Sequence, residues 1–178
     1  MIVKLYVEGG GDNNHALATQ CRQAFAEFFQ KAGVEKRPRV IACGGRSQAI
    51  DRFKDAIKSG DSPLLLVDSE GPAPMMPEAD TYYMVQTMEA WFHADKATLR
   101  QYYGGSFKES ALNGRTNVEE IPKADLFNGL KRATKDCQKG EYSKGQHSFR
   151  ILARIDPSKV RAASPHAERL LTTLIATE

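Results

Sequence analysis

The sequence predicts an α/β protein in which a mainly parallel four-stranded sheet carries flanking helices and a helical C-terminal extension. Three observations predict it. Short apolar strands stop abruptly at glycine or acidic turns, amphipathic helical patterns follow them after short connections, and beyond residue 105 no segment reads as a strand. Alternation of this kind favours parallel strands joined by right-handed crossovers, with functional groups gathered just past the carboxyl ends of the strands. Residues 1–105 are expected to form the α/β core, and residues 106–178 a basic, mainly helical extension packed on it as one unit.

Ile2-Val3-Lys4-Leu5-Tyr6-Val7 is β-branched and aromatic and halts at Glu8-Gly9-Gly10-Gly11-Asp12, which cannot continue a strand. From Asn13 onward Leu17, Cys21, Ala24, Phe25, Phe28 and Phe29 recur at steps of three and four, predicting a helix that ends near Ala32-Gly33, with Asp12, Asn13 or Asn14 as its N-cap. Arg39 to Cys43 is a second short strand closed by Gly44-Gly45, and Ala49, Ile50, Phe53, Ala56 and Ile57 mark a second helix ending at Gly60. Pro63 to Asp68 has the unbroken apolar run of a parallel strand covered on both faces. Gly71 to Pro77, with its three prolines, reads as a loop or flap. Thr81 to Gln86 is a fourth strand, and Met88 to Tyr103 one helix with Trp91, Phe92, Leu99 and Tyr102 inward. Residues 106–120 read as irregular. A helix then runs from Pro122 to about Cys137, a short one covers about Ser148 to Ile155, and Ser164-Pro165 starts a last one with Ala167, Leu170, Leu171, Leu174 and Ile175 on one side.

Composition narrows the class. Among 178 residues 41% are hydrophobic and 26% charged, near the average of globular domains, which excludes collagen-like, coiled-coil and wholly disordered chains. Apolar runs fall far short of the roughly 20 residues needed to cross a bilayer, and Met1 to Val7 is too short and wrongly flanked for a signal peptide, so the chain is expected in the cytoplasm, away from membranes. Cys21, Cys43 and Cys137 are odd in number and lack C-x-x-C spacing, which argues against a disulfide framework or a thiolate zinc site. Net charge is only +3, yet residues 90–178 hold 15 basic and 10 acidic groups against 10 and 12 in residues 1–89. Within Lys131 to Arg161 nine basic residues face three acidic ones, enough to attract a polyanion such as nucleic acid if they share a face, and equally consistent with solvated helices.

Two acidic groups fall where a parallel sheet would bring them together: Glu8 past the first strand and Asp68 at the end of the third, with Glu70 two residues on. Asp68 and Glu70 could hold a hard divalent cation such as Mg²⁺ (or Mn²⁺), with Glu8 as a further ligand or a general acid or base, although an isolated D-x-E is ordinarily a turn-capping pair. Gly9, Gly10 and Gly11 would let the backbone approach a phosphate closely, but a Walker A loop and a G-x-G-x-x-G loop are both absent. Arg46, after Gly44-Gly45, and Lys144, in the basic half, are candidate phosphate contacts that could equally pair with carboxylates or stay solvated. Glu89 is either an additional ligand or, more ordinarily, a carboxylate favoured at a helix N-terminus. His15, His93, His147 and His166 show no metal-ligand spacing.

Val7-Glu8-Gly9-Gly10-Gly11-Asp12, followed after two α/β units by Leu66-Val67-Asp68-Ser69-Glu70, resembles the glutamate and D-x-D motifs of the Toprim fold of topoisomerases, bacterial primases and OLD-type nucleases. Cys43-Gly44-Gly45-Arg46, Val85 to Phe92, Ile155-Asp156-Pro157 and Ser164-Pro165-His166 extend the resemblance to a family of small bacterial Toprim-like proteins of unassigned function. The resemblance implies a Toprim-like sheet with Glu8 as general acid or base and Asp68 with Glu70 as Mg²⁺ ligands, Glu70 standing where the motif has its second Asp. The expected activity is Mg²⁺-dependent phosphoryl transfer, as a nuclease on DNA or RNA with a role in bacterial defence. A separate ATPase partner is also implied. The alternatives are a non-catalytic subunit of such an ATPase and a small-molecule phosphohydrolase with residues 71–77 as its lid.

Overall fold

The computed structural model describes residues 2–11 and 13–177. Four strands, β1 (Lys4–Val7), β2 (Arg39–Ala42), β3 (Leu64–Asp68) and β4 (Thr81–Met84), form one sheet in the order β2-β1-β3-β4, and every pairing is parallel. Register places Val7 opposite both Ala42 and Leu66, and Asp68 opposite Met84, so all four strands end along one edge. All five residues of β3 are buried, as its apolar run predicts.

Alternate residues of the strands serve two cores. Leu5, Val7, Leu64, Leu66, Tyr82 and Met84 pack with α1 (His15–Lys31) and the later helices, whereas Tyr6, Leu65, Val67 and Tyr83 pack with Ala49, Phe53 and Ala56 of α2 (Arg46–Lys58). In the larger core Trp91 stacks on Phe28 at 5.2 Å between ring centroids and meets the Phe25 ring edge-on at 6.5 Å. Ile57, expected on the inner face of α2, is 49% exposed, because Ala49, Phe53 and Ala56 already fill the contact with the sheet. Asn14 caps α1, its side chain accepting from the Leu17 N–H, while Asp12, another candidate cap, lies outside the described residues.

The helix expected over 88–103 is two helices, α3 (Glu89–His93) and α4 (Lys96–Tyr103). Asp95 is the reason. Its carboxylate caps α4 by accepting from the Thr98 N–H and hydroxyl, and it also accepts from the Asp156 N–H at 2.9 Å and pairs with Lys159 at 3.2 Å. Residues 106–120 contain two single 3₁₀ turns, Glu109–Ala111 and Val118–Glu120. Further on come α5 (Lys123–Thr134), α6 (Lys144–Leu152), α7 (Pro157–Ala163) and α8 (Pro165–Ala176), with no strand after β4 among the described residues. α6 begins four residues earlier than the apolar pattern suggests, at Lys144, and α7 is a helix that this pattern does not reveal. α7 starts as α8 does, on a polar cap followed by proline: Asp156-Pro157 and Ser164-Pro165. No described helix is long and apolar enough to cross a membrane.

Candidate metal centre

The shared strand edge brings Glu8, Asp68 and Glu70 together. One carboxylate oxygen from each lies within 4.8 Å of the others, and among the described residues this is the only such trio of His, Cys, Asp or Glu side chains. The Glu8 N–H continues the ladder by donating to Leu66 O, which turns its side chain toward β3, and Glu8 Oε2 accepts from the Asp68 N–H at 2.9 Å. Asp68 is 2% exposed, and its Oδ1 accepts from the Met88 N–H at 2.9 Å. Lys144, at the first position of α6, brings Nζ to 3.8 Å from Asp68 Oδ2. Glu8, Asp68, Lys144 and the three loop glycines line a cavity of about 400 Å³ whose apolar side is formed by Met84, Met88 and Phe149.

Burial pushes the Asp68 carboxyl up to about 8. Lys144 pulls it down, Glu8 and Glu89 add to the rise, and the Met88 N–H opposes it. A buried carboxylate facing other carboxylates is stable either with a proton or with a compensating cation. Hard oxygen donors that converge on one pocket suit a divalent ion such as Mg²⁺, so the residues present fit a cation.

Glu70 reaches this position only through a strained backbone. Its φ of 64° lies in the left-handed region, at a cost of about 1–2 kcal/mol for a residue with a Cβ. Gln86 holds it there: the Gln86 carbonyl accepts from the Glu70 N–H and the Gln86 side-chain oxygen from the Lys123 N–H, both at 2.9 Å. The Lys123 ammonium is ion-paired to the Glu70 carboxylate. Strain held in place by its surroundings is a feature of functional sites.

The other candidates divide. Gly9, Gly10 and Gly11 all have positive φ and line the cavity, but Gly9 exchanges hydrogen bonds of 2.8 Å with Gly44, so its N–H is committed to joining the two glycine turns. At Gly10 an added Cβ would stand 3.0 Å from Ala18 Cα, and this close approach of loop to helix requires the glycine. Arg46 lies behind the site, donating from Nη1 to the Asp68 carbonyl at 2.9 Å, where it braces the chain that carries both acids. Glu89 is completely buried and stands outside the trio; Oε1 accepts from the Tyr142 hydroxyl at 2.8 Å and Oε2 has no partner among the described residues. Its field nonetheless reaches Asp68. Met88, Gln86, Lys123 and Tyr142 are site residues that sequence reasoning missed, and for Tyr142, 53 positions from Glu89, no local signal exists. The histidines stay out of the group: His93 and His147 are buried on Leu126 O and the Tyr103 hydroxyl, and His166 in the first turn of α8 pairs with Glu119 at 2.9 Å.

A family model described as Domain of unknown function (DUF4276) matches residues 73–175, more than half of the chain. The matched stretch includes Glu89 and Lys144 and begins after Glu8, Asp68 and Glu70. No curated protein and no solved structure matches.

Proposed function

The chain belongs to the family described as Domain of unknown function (DUF4276), and on that premise we propose that it is a Mg²⁺-dependent phosphoryl-transfer enzyme of Toprim type, a nuclease that cleaves DNA or RNA. The observation that carries the reading is the trio itself: Glu8, Asp68 and Glu70 at the carboxyl edge of a parallel sheet, with the most buried of them unable to ionise cheaply unless a cation joins it. Such an edge is where open α/β sheets place their ligands.

Glu8, Asp68 and Glu70 would hold the ion, Mn²⁺ being the usual substitute. When bound, it supplies Lewis-acid polarisation of a phosphoryl oxygen and neutralises charge that develops as the phosphodiester breaks. The chain's own groups do the rest. Glu8 Oε2 is committed to the Asp68 N–H, leaving Oε1, which has no hydrogen bond among the described residues, to ligate or to take a proton from an attacking water. Lys144, exposed at the rim of the cavity, is placed to meet a phosphate oxygen, while Arg46 and the Met88 N–H keep Asp68 in place. Lys123 competes with the ion for Glu70, so ligation by Glu70 requires that ion pair to open.

The test is cleavage of labelled single- and double-stranded DNA and RNA by purified protein with Mg²⁺ or Mn²⁺, beside Glu8→Ala and Asp68→Asn. Metal-dependent cleavage lost in both folded variants is the expected result. Equal inertness of wild type and variants would overturn stand-alone nuclease activity and direct attention to a partner ATPase.

A further inference from the structure

We propose that the cleft between α1 and α6, which opens from the acidic cavity at Gly145, is the seat of a single strand of nucleic acid. The inference rests on the phosphodiesterase reading above and adds to it where the substrate lies and in what form. Lys144 and Gly145 line the acidic cavity, and Gly145 also lines a second cavity with Gln20, Lys139, Gln146 and Arg150. A third lies next to it, lined by Gln20, Gln23, Phe149, Arg150 and Arg154, with Glu27 the single carboxylate in its wall. Neighbouring cavities share wall residues, Gly145 between the first two and Gln20 with Arg150 between the second and third, so they lie in succession away from the carboxylates.

Cations mark this path. Arg150 and Arg154 lie one turn apart at the C-terminal end of α6 and the turn after it, and Lys144 stands at the helix start, about 9 Å back along the axis from Arg150 and about 120° round from it. All are exposed, as is Lys139 beside them. Among the described residues no carboxylate pairs with Lys139, Arg150 or Arg154; Lys131, Arg132 and Lys135 at the end of α5 are equally without acidic partners but line none of these three cavities, whereas Lys108, Lys123, Lys159 and Arg161 are paired. Lys139 and Arg154 instead lie 5.0 and 5.2 Å from the ring centre of Tyr102, a largely buried aromatic that holds both charges toward the cleft. Three cations without acidic partners gathered in one cleft fit a ligand with several negative charges and not a lone phosphate. Gln20 and Gln23 on α1, with Gln146 on α6, add amide donors and acceptors in the same path. Those groups can meet Watson–Crick edges, which a duplex keeps in its own pairing and a single strand presents freely.

The experiment measures binding apart from cleavage. Fluorescence anisotropy of a labelled 20-mer DNA single strand, the same sequence as a duplex, and an RNA single strand is followed at 50 and 200 mM salt in EDTA. The variants are a Lys139→Ala/Arg150→Ala/Arg154→Ala triple, the single Arg150→Glu, and a control of equal charge loss on α5, Lys131→Ala/Arg132→Ala/Lys135→Ala. Tighter binding of a single strand than of the duplex is expected. The triple should weaken single-strand binding at least tenfold at 50 mM salt and flatten the log–log salt slope by about 2, from roughly 0.7 per lost phosphate contact. Arg150→Glu should act in the same direction, and the α5 control should change affinity less than threefold. DNA and RNA arms decide which sugar is preferred. Triple and control of equal affinity, tighter binding of the duplex, or no binding of any strand overturns the proposal. Asp68→Asn separates the two readings: unchanged or tighter binding without cleavage supports both, and intact binding with no cleavage by any protein overturns only the enzymatic one.

Discussion

Relative to wild type, replacing Asp68 by Asn should make the metal-free protein increasingly more stable as pH rises, although the same change removes one carboxylate of the trio that could hold a cation. Burial holds the Asp68 carboxyl at about 8 in the folded chain against an ordinary 3.8. The folded state therefore keeps a proton that the unfolded chain releases. Stability from this group is complete below pH ~4 and is lost as pH climbs toward about 8, by roughly 1.4 kcal/mol for each pH unit between. Between pH 5 and pH 8 the loss is about 3.5 to 4 kcal/mol, the slope easing near the top as the folded-state carboxyl itself ionises. Asn retains a side-chain oxygen for the Met88 N–H and has no proton to lose. Urea unfolding of both proteins in EDTA at pH 5, 6, 7 and 8 should show the stability difference moving in favour of Asn by that amount, other titrating groups cancelling between the pair. Parallel profiles would refute the argument that Asp68 is held protonated by burial. Adding Mg²⁺ at pH 8 should then raise the wild-type midpoint and leave the variant's unchanged.

Three other outcomes follow from the same geometry. Lys123→Ala frees Glu70 from an exposed ion pair contributing about 0.2–1 kcal/mol, so Mg²⁺ affinity measured by calorimetry should rise by up to about fivefold. Gly10→Ala puts a Cβ at φ 88° and 3.0 Å from Ala18 Cα; urea unfolding should show a loss of at least about 1–2 kcal/mol, where an alanine at the unobstructed Gly145 should change little. Tyr142→Phe leaves Glu89 with no hydrogen-bond partner among the described residues, and about 1–3 kcal/mol of stability should disappear in the same assay.

Much of this protein was written in local pattern. The four short strands, the apolar stripe of α1 and the Ser164-Pro165 start of α8 depend on neighbours a few positions away, so periodicity and capping chemistry disclose them. Glu8, Asp68 and Glu70 were legible for a related reason: in a parallel sheet, a residue just past one strand must lie beside a residue just past the next. The break between α3 and α4 was not legible, because it is set by Asp95 reaching Asp156 and Lys159 as well as its own helix. Nor was Glu89's place, since a carboxylate at a helix start looks the same whether solvent or a buried tyrosine faces it. By itself the sequence determined the four strands, the helices α1, α2, α5 and α8, and which acids stand at the strand edge, all matters of short-range geometry. Only the tertiary structure decided the state of those acids: the burial of Asp68, the Gln86 brace behind Glu70, and the Lys123 and Lys144 ammoniums. Charge and burial at a site are sums over groups far apart in the chain, and only packing brings those groups within range of one another.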